Sequence, residues 1–222
     1  MKYIKILENF SKLLTIKEFY LNLFKKCIKL GKFKNNNNTS IGNKFDAIPV
    51  GLFIVDIFDR YLKGNKFIDV GCGFGNVVKL AKKFNMNSQG IEINKKYKKY
   101  HEQDEIKVKY LDARNFNYSN YDVIFLYRPM IKDKDMYNII TQILKTADIS
   151  TRIIYVNYGL TQPPKWIETD TGSMDNRNYN WVQEYAHIKK NINILKQGPV
   201  YWNFSNTDYI DTCIVFDIIK NN

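Results

Sequence analysis

The stretch KFIDVGCGFGNVVKL, residues 66–80, decides how this chain folds. Phe67, Ile68 and Val70 predict a short buried strand, the alternating glycines predict a tight turn, and residues 76–84 predict the first turns of a helix. Glycine lacks a Cβ and tolerates positive φ, so the backbone of such a turn can approach a ligand closely. The helix that follows offers free N–H groups and a partial positive charge. The segment therefore predicts a ligand-binding turn.

The spacing of the glycines separates two readings of this turn. A dinucleotide fingerprint needs G-x-G-x-x-G, but Asn76 stands at the third glycine position, which disfavours an NAD-dependent oxidoreductase. With Asp69 before it, the pattern resembles the first motif of class I S-adenosylmethionine-dependent methyltransferases, an acidic residue followed by G-x-G-x-G. This resemblance implies that S-adenosyl-L-methionine is the cofactor and that the turn binds it through Asp69, Gly71, Cys72, Gly73 and Gly75.

A second acidic residue falls at the spacing expected of a ribose ligand. Residues 88–93 predict a strand that ends near Glu92, which lies 23 residues after Asp69, the length of one strand–turn–helix–strand unit. A carboxylate at that edge can accept hydrogen bonds from both hydroxyls of a ribose. The alternative is a solvated acid at a strand end, and the coincidence with the glycine turn favours the ribose.

A third acid follows the next predicted strand, residues 106–111. Taken alone, Asp112 would be an ordinary turn residue. In the resembled family an acid at this position bonds the adenine amino group. The resemblance therefore places Asp112, with Ala113 beside it, in the cofactor site.

The acceptor side of the site should lie where the fourth and fifth strands end. Residues 121–127 and 151–158 predict these strands, and parallel strands joined by helices end at the same edge. Tyr127, Asn157 and Tyr158 are the candidates for orienting the acceptor, because tyrosine faces attract methylammonium and sulfonium charge. Each of the three is equally compatible with simple packing under a loop.

The sequence after the fourth strand bears on the acceptor. Methyltransferases that act on adenine or glutamine carry Asp or Asn, two prolines and an aromatic residue here, whereas this chain has YRPM at residues 127–130. Residues 45–62 predict a helix, with Phe53, Ile57 and Tyr61 at helical spacing. With Ala-Ile-Pro at residues 47–49, ahead of these helically spaced residues, the chain is similar to seven-strand lysine methyltransferases of the Dot1-like and mitochondrial type. That similarity implies N-methylation of a protein lysine. An RNA or small-molecule methyltransferase and a non-catalytic cofactor-binding module remain alternatives.

The order of elements predicts an α/β fold, a Rossmann-like seven-stranded and mostly parallel sheet with helices on both faces. Residues 94–101 and 132–147 predict helices, and residues 192–204 and 209–219 predict the antiparallel C-terminal pair of class I methyltransferases. Residues 163–180 are polar and contain two prolines, which fits either a lid over the substrate or an ordinary surface excursion.

The N-terminal part is predicted to be an extension of the catalytic domain. Apolar residues at helical spacing over residues 1–30 predict one or two amphipathic helices within an extension over residues 1–34. The Asn-rich residues 35–43 predict a linker, and residues 44–222 the methyltransferase domain. The apolar stripe is expected to dock on that domain; contact with a membrane surface or a partner is the alternative.

Composition narrows the class of protein and its compartment. The net charge of +12 makes nucleic acid an alternative partner, although the excess is spread along the chain. Three cysteines far apart in sequence and two histidines suggest neither a disulfide framework nor a metal site, which favours a reducing cytoplasmic location. The longest apolar run, residues 47–58, contains Asp56 and is too short to span a bilayer, and no signal peptide is apparent.

Overall fold

A computed structural model describes residues 2–30, 50–127, 129, 133–157, 192–201 and 210–219. The helices are α1 Lys2–Leu30, α2 Phe53–Tyr61, α3 Asn76–Lys83, α4 Lys98–Gln103 and α5 Asp133–Thr146, with 3₁₀ turns at Lys95–Tyr97 and Ala113–Asn115. The strands are β1 Lys66–Val70, β2 Asn87–Ile91, β3 Val108–Lys109, β4 Val123–Tyr127, β5 Arg152–Asn157, β6 Ile192–Tyr201 and β7 Ile210–Ile218.

The described strands form one seven-stranded sheet in the order β3-β2-β1-β4-β5-β7-β6. The first five strands run parallel, and β7 lies antiparallel between β5 and β6. The strand order reverses between β1 and β4, which is where open α/β sheets bind their ligands. The predicted fold class is confirmed, including the antiparallel C-terminal pair.

Alternation along each strand divides the core between the two faces of the sheet. Ile68 and Leu126 face α5 on one side. Phe67 and Phe125 face α2 and α3 on the other, where α1 adds the buried ring of Tyr20. Helices therefore cover both faces of the sheet.

The N-terminal helix docks on the domain through one apolar stripe. Among its described side chains, over residues 9–26, Ile16, Tyr20 and Phe24 are buried, and the Tyr20 hydroxyl donates to the Val50 carbonyl at 2.9 Å. Burying one large apolar side chain such as Phe24 contributes roughly 2 to 3 kcal/mol to the free energy of unfolding. This is the docking that the sequence favoured, while a membrane or partner contact elsewhere on the extension stays a prediction. Among the helices that the structure describes, none has the length and apolar character needed to cross a bilayer.

Two ion pairs to Asp217 tie β7 to β5 and to the segment between α2 and β1. The Arg152 guanidinium on β5 donates to both carboxylate oxygens of Asp217 on β7 at 2.8 Å, and to the Tyr61 carbonyl at 2.8 Å. The Lys63 ammonium donates to the same carboxylate at 2.9 Å. Hydrogen bonds to charged groups are stronger than neutral ones, so α2, β5 and β7 are held together at this point.

Several predicted boundaries were wrong. Residues 50–52 precede α2 instead of forming part of it, β3 is two residues long, and β4 begins at Val123 rather than at residue 121. The helix predicted over residues 94–101 is a 3₁₀ turn followed by α4, and β2 ends at Ile91, one residue before Glu92. The predicted linker, the Ala-Ile-Pro segment at residues 47–49, the polar stretch over residues 163–180 and Tyr158 lie outside the described residues.

Candidate active site

The glycine turn after β1 requires glycine for two separate reasons. Gly71 and Gly75 both have φ +75°, in the left-handed region that side chains disfavour. A Cβ on Gly71 would lie 2.5 Å from the Cβ of Pro129, and one on Gly75 would lie 2.6 Å from the Cδ1 of Ile106. The turn is therefore both left-handed and closely packed, with Pro129, which follows β4, directly against it.

Hydrogen bonds hold this turn against the end of β2. The N–H groups of Gly71 and Cys72 donate to the Ile91 carbonyl at 2.9 and 3.0 Å. Glu92 directly follows Ile91 and therefore lies beside the turn. Its Oε2 accepts the Gly73 N–H at 2.9 Å and its Oε1 accepts the Asn94 N–H at 2.7 Å. Each carboxylate oxygen has a second lone pair, so Glu92 can keep both backbone bonds and still accept two hydroxyls from a ligand.

Asp69 is the second acid of the turn, and it is buried. Its side chain is 3% exposed, and within the described part of the chain no donor bonds its carboxylate. Burial raises the pKa of Asp69 well above its ordinary value, and the nearby charge of Glu92 raises it further. The pKa of the Cys72 thiol is likewise raised, by burial first and then by the two acids. A buried acid without a donor beside a second acid is a place where a cationic ligand is favoured.

Asp112 and Ala113 lie at the 3₁₀ turn after β3. The Asp112 carboxylate accepts the Arg114 N–H at 2.9 Å and pairs with the Arg114 guanidinium, whose other end reaches Asp135 at 2.8 Å. Hydrogen bonds from Arg114 hold the pKa of Asp112 below its usual range. A ligand amino group would therefore share this carboxylate with Arg114, a cation that the sequence did not connect with Asp112. Ala113 is buried, and its carbonyl accepts the Tyr118 hydroxyl at 2.8 Å.

The predicted acceptor residues lie at the ends of β4 and β5. Leu126 pairs with Val70, so Tyr127 extends one residue further, level with the glycine turn. The Tyr127 hydroxyl donates to Asp211 Oδ2 at 3.1 Å. Asn157 ends β5 opposite Thr212, but its side chain, like all of Tyr158, lies outside the described residues. Tyr127 and Asn157 are thus on neighbouring strand ends, and their roles stay predictions.

Three residues that the sequence did not single out lie near the predicted site residues. Asp211 is 2% exposed at the start of β7. The sequence feature that could have identified it is an acid on the core-facing side of an apolar strand. Ile93 is 59% exposed although it directly follows buried Glu92, and an exposed apolar side chain there suits a flat apolar ring. His101 is buried and contacts the Gly73 carbonyl at 2.6 Å, which no local sequence pattern indicated.

The glycine turn and the residues after β2 thus combine features that one kind of ligand would use together. Glu92 can accept hydroxyls, buried Asp69 favours a cation, and exposed Ile93 offers apolar surface. A nucleoside that carries an ammonium or sulfonium group has all three properties. S-adenosylmethionine has hydroxyls, a cationic group and an apolar ring face that suit these acceptors and this apolar surface, so the residues present fit that cofactor.

Comparisons with solved structures agree with this fold. A SAM-dependent methyltransferase from Methanosarcina mazei is 14% identical with a TM-score of 0.58, covering 74% of this chain and 98% of its own. A methyltransferase from Clostridium acetobutylicum is 12% identical (TM-score 0.53, 76% and 90% covered), and plantazolicin methyltransferase BpumL in complex with SAH is 14% identical (TM-score 0.51, 69% and 76% covered). No protein-family model and no curated protein matches the sequence. The chain therefore has the class I methyltransferase fold.

Proposed function

We propose that this protein is an S-adenosylmethionine-dependent methyltransferase that N-methylates a lysine side chain of another protein. The observation that carries the proposal is the pair of acids at the glycine turn, Glu92 bonded to the Gly73 N–H and Asp69 buried beside it. Of the three solved structures compared above, two are described as SAM-dependent methyltransferases and the third, also a methyltransferase, holds SAH, which supports the same assignment.

Each part of the cofactor has residues suited to hold it. Glu92 would accept the ribose hydroxyls, Asp69 would favour the charged amino acid end, and Asp112 would meet the adenine amino group beside Arg114. When bound, S-adenosylmethionine supplies a methyl group on a positively charged sulfur. The protein has then to position the acceptor in line and to exclude water.

The strand ends beside the turn support an amine as the acceptor. Asp211 offers a buried carboxylate that accepts a hydrogen bond from the Tyr127 hydroxyl. Such a carboxylate can bind an alkylammonium and take its proton, which leaves the neutral amine that methyl transfer needs. Burial of the acceptor would also lower its pKa. Lysine is favoured among amines by the similarity of residues 47–49 and 127–129 to lysine methyltransferases.

A labelled-methyl assay tests the proposal. The purified chain is incubated with labelled S-adenosylmethionine and with protein, RNA and metabolite fractions, and Gly73→Arg serves as the inactive control. We expect label in the protein fraction and methyllysine after hydrolysis. Label confined to RNA or metabolites would refute the lysine acceptor, and SAH binding without any transfer would indicate a non-catalytic module. Failure to bind SAH in calorimetry would refute the cofactor itself.

RNA is the second candidate acceptor because of one surface observation. Around α4 and β3 six lysines are exposed, namely Lys95, Lys96, Lys98, Lys99, Lys107 and Lys109. Clustered lysines neutralise phosphates and release counterions, so binding through them weakens as salt increases. RNA binding at low micromolar concentration that falls steeply with salt would favour this candidate over a protein acceptor.

A further inference from the structure

His101 contacts the glycine turn at the Gly73 carbonyl, whereas Glu92 contacts it at the Gly73 N–H. The ring is 2% exposed, its Nε2 is 2.6 Å from the Gly73 carbonyl oxygen and its Nδ1 is 2.6 Å from the Tyr110 hydroxyl. Both ring nitrogens are therefore engaged, one by the turn and the other by the segment after β3.

The contacts determine which nitrogen carries the proton. A carbonyl oxygen only accepts hydrogen bonds, so Nε2 must be the protonated nitrogen, and in a neutral ring Nδ1 then accepts the Tyr110 O–H. Burial lowers the pKa of His101, which favours the neutral ring. The charged groups that face it are Glu92 at the end of β2, Lys79 on α3 and Asp104 after α4.

Gly73 is consequently held at both of its backbone groups. Glu92 accepts its N–H at 2.9 Å, and His101 donates to its carbonyl. In a planar trans peptide the next N–H points opposite to the carbonyl, so the Phe74 N–H is directed away from His101. Nowhere in the described part of the chain does an acceptor bond that N–H. With Gly73 held by Glu92 and His101, the turn therefore presents one free backbone donor, the Phe74 N–H, at its tip.

We propose that His101, oriented by Tyr110, is a positioning residue that fixes the Gly73–Phe74 peptide for cofactor binding. The proposal rests on the proposed function, because it assigns the free donor to the bound cofactor. In this role His101 holds the turn in place through the Gly73 carbonyl and does not itself contact the reacting atoms.

Four variants separate positioning from ordinary packing. His101→Leu removes the donor, whereas the amide of His101→Gln can still donate to the Gly73 carbonyl. Tyr110→Phe leaves the ring in place but frees Nδ1. Ser88→Ala is the matched control, since it removes a buried hydrogen bond of 2.8 Å to the Val78 carbonyl without touching the turn.

Calorimetry with SAH measures the first effect. We expect His101→Leu to weaken binding by about tenfold or more, Tyr110→Phe by a smaller factor, and His101→Gln and Ser88→Ala by less than about threefold. Denaturation of each unliganded variant shows whether it remains folded. If folded His101→Leu binds SAH like the wild type, or if Ser88→Ala weakens binding equally, the positioning role is wrong.

Imidazole ¹⁵N shifts of the unliganded wild-type protein provide a test independent of any ligand. We expect the signature of a neutral ring protonated at Nε2, and a loss of that preference in Tyr110→Phe. A ring protonated at Nδ1 would overturn the proposal even if His101→Leu failed to fold. If the wild-type protein does not bind SAH, the proposed function is overturned as well. If the wild type binds SAH and folded His101→Leu binds it equally well, only the positioning role is overturned.

Discussion

Replacing Asp69 by asparagine should stabilise the unliganded protein and weaken cofactor binding. The wild-type carboxylate is 3% exposed, lacks a donor among the described residues and lies near the charge of Glu92. Leaving a buried polar group unpaired costs about 1 to 3 kcal/mol, and more when the group is charged. Asparagine has nearly the same shape without the charge. We expect the free energy of unfolding at pH 8 to rise by about 1 to 2 kcal/mol.

The stability gained by Asp69→Asn should depend on pH. Because the pKa of Asp69 is raised in the folded state, the folded protein binds the proton more tightly than the unfolded chain. The wild type therefore loses stability as the pH rises from about 4, the ordinary value, through the folded pKa. The advantage of Asp69→Asn should be small near pH 4 and largest above the folded pKa.

Denaturant unfolding at several pH values, with SAH calorimetry on the same samples, measures both effects. If the carboxylate favours the charged amino acid end of the ligand, its loss should weaken SAH binding by roughly tenfold to a hundredfold. Asp59→Asn is the control, since that acid is exposed and should change neither quantity. A stability difference that is flat with pH, or an unchanged affinity, would refute the reasoning from burial.

Three further substitutions test other parts of the structure. Gly71→Ala should cost about 2 kcal/mol or more in denaturant unfolding, since φ is +75° and the Cβ would clash with the neighbouring proline; an unchanged midpoint would contradict the geometry. Asp217→Asn should cost about 2 to 4 kcal/mol and abolish part of the acid sensitivity. Burial alone would raise the pKa of Asp217, but hydrogen bonds from Arg152 and a lysine lower it, so its contribution is present at neutral pH and lost as pH falls through the folded pKa; unaltered acid unfolding would contradict this. Tyr127→Phe should leave SAH affinity unchanged and slow methyl transfer by about tenfold or more through loss of the bond to Asp211; a change in affinity instead would assign Tyr127 to the cofactor.

The features that the sequence predicted correctly are those that depend on local sequence patterns. The glycine turn, its preceding acid and the strand before Glu92 follow from spacing within one βαβ unit, and right-handed parallel connections then fix which strand ends meet. Hence the fold class was confirmed, and Glu92 does lie beside Gly73.

The missed features depend on contacts between distant residues. Asp211 reaches Tyr127 across 84 positions of the chain, and His101 reaches Gly73 across 28. Arg114 pairs with nearby Asp112, but its second ion pair, with Asp135 on α5, joins two elements that sequence spacing does not relate. The start of α2 and the length of β3 were wrong because apolar periodicity continues beyond the backbone hydrogen bonds that define each element.

The position of β7 inside the sheet constrains how the chain is made. The structure pairs β6 with β7 and β7 with β5, so β6 has no neighbour in the sheet until the strand that follows it in the chain has been inserted. Chains generally fold from the N-terminus during synthesis. On the ribosome, the nascent polypeptide would expose the open edge of β5 until β7 has left the exit tunnel. A message truncated before that point would yield a product with an unpaired strand, suited to chaperone capture and degradation.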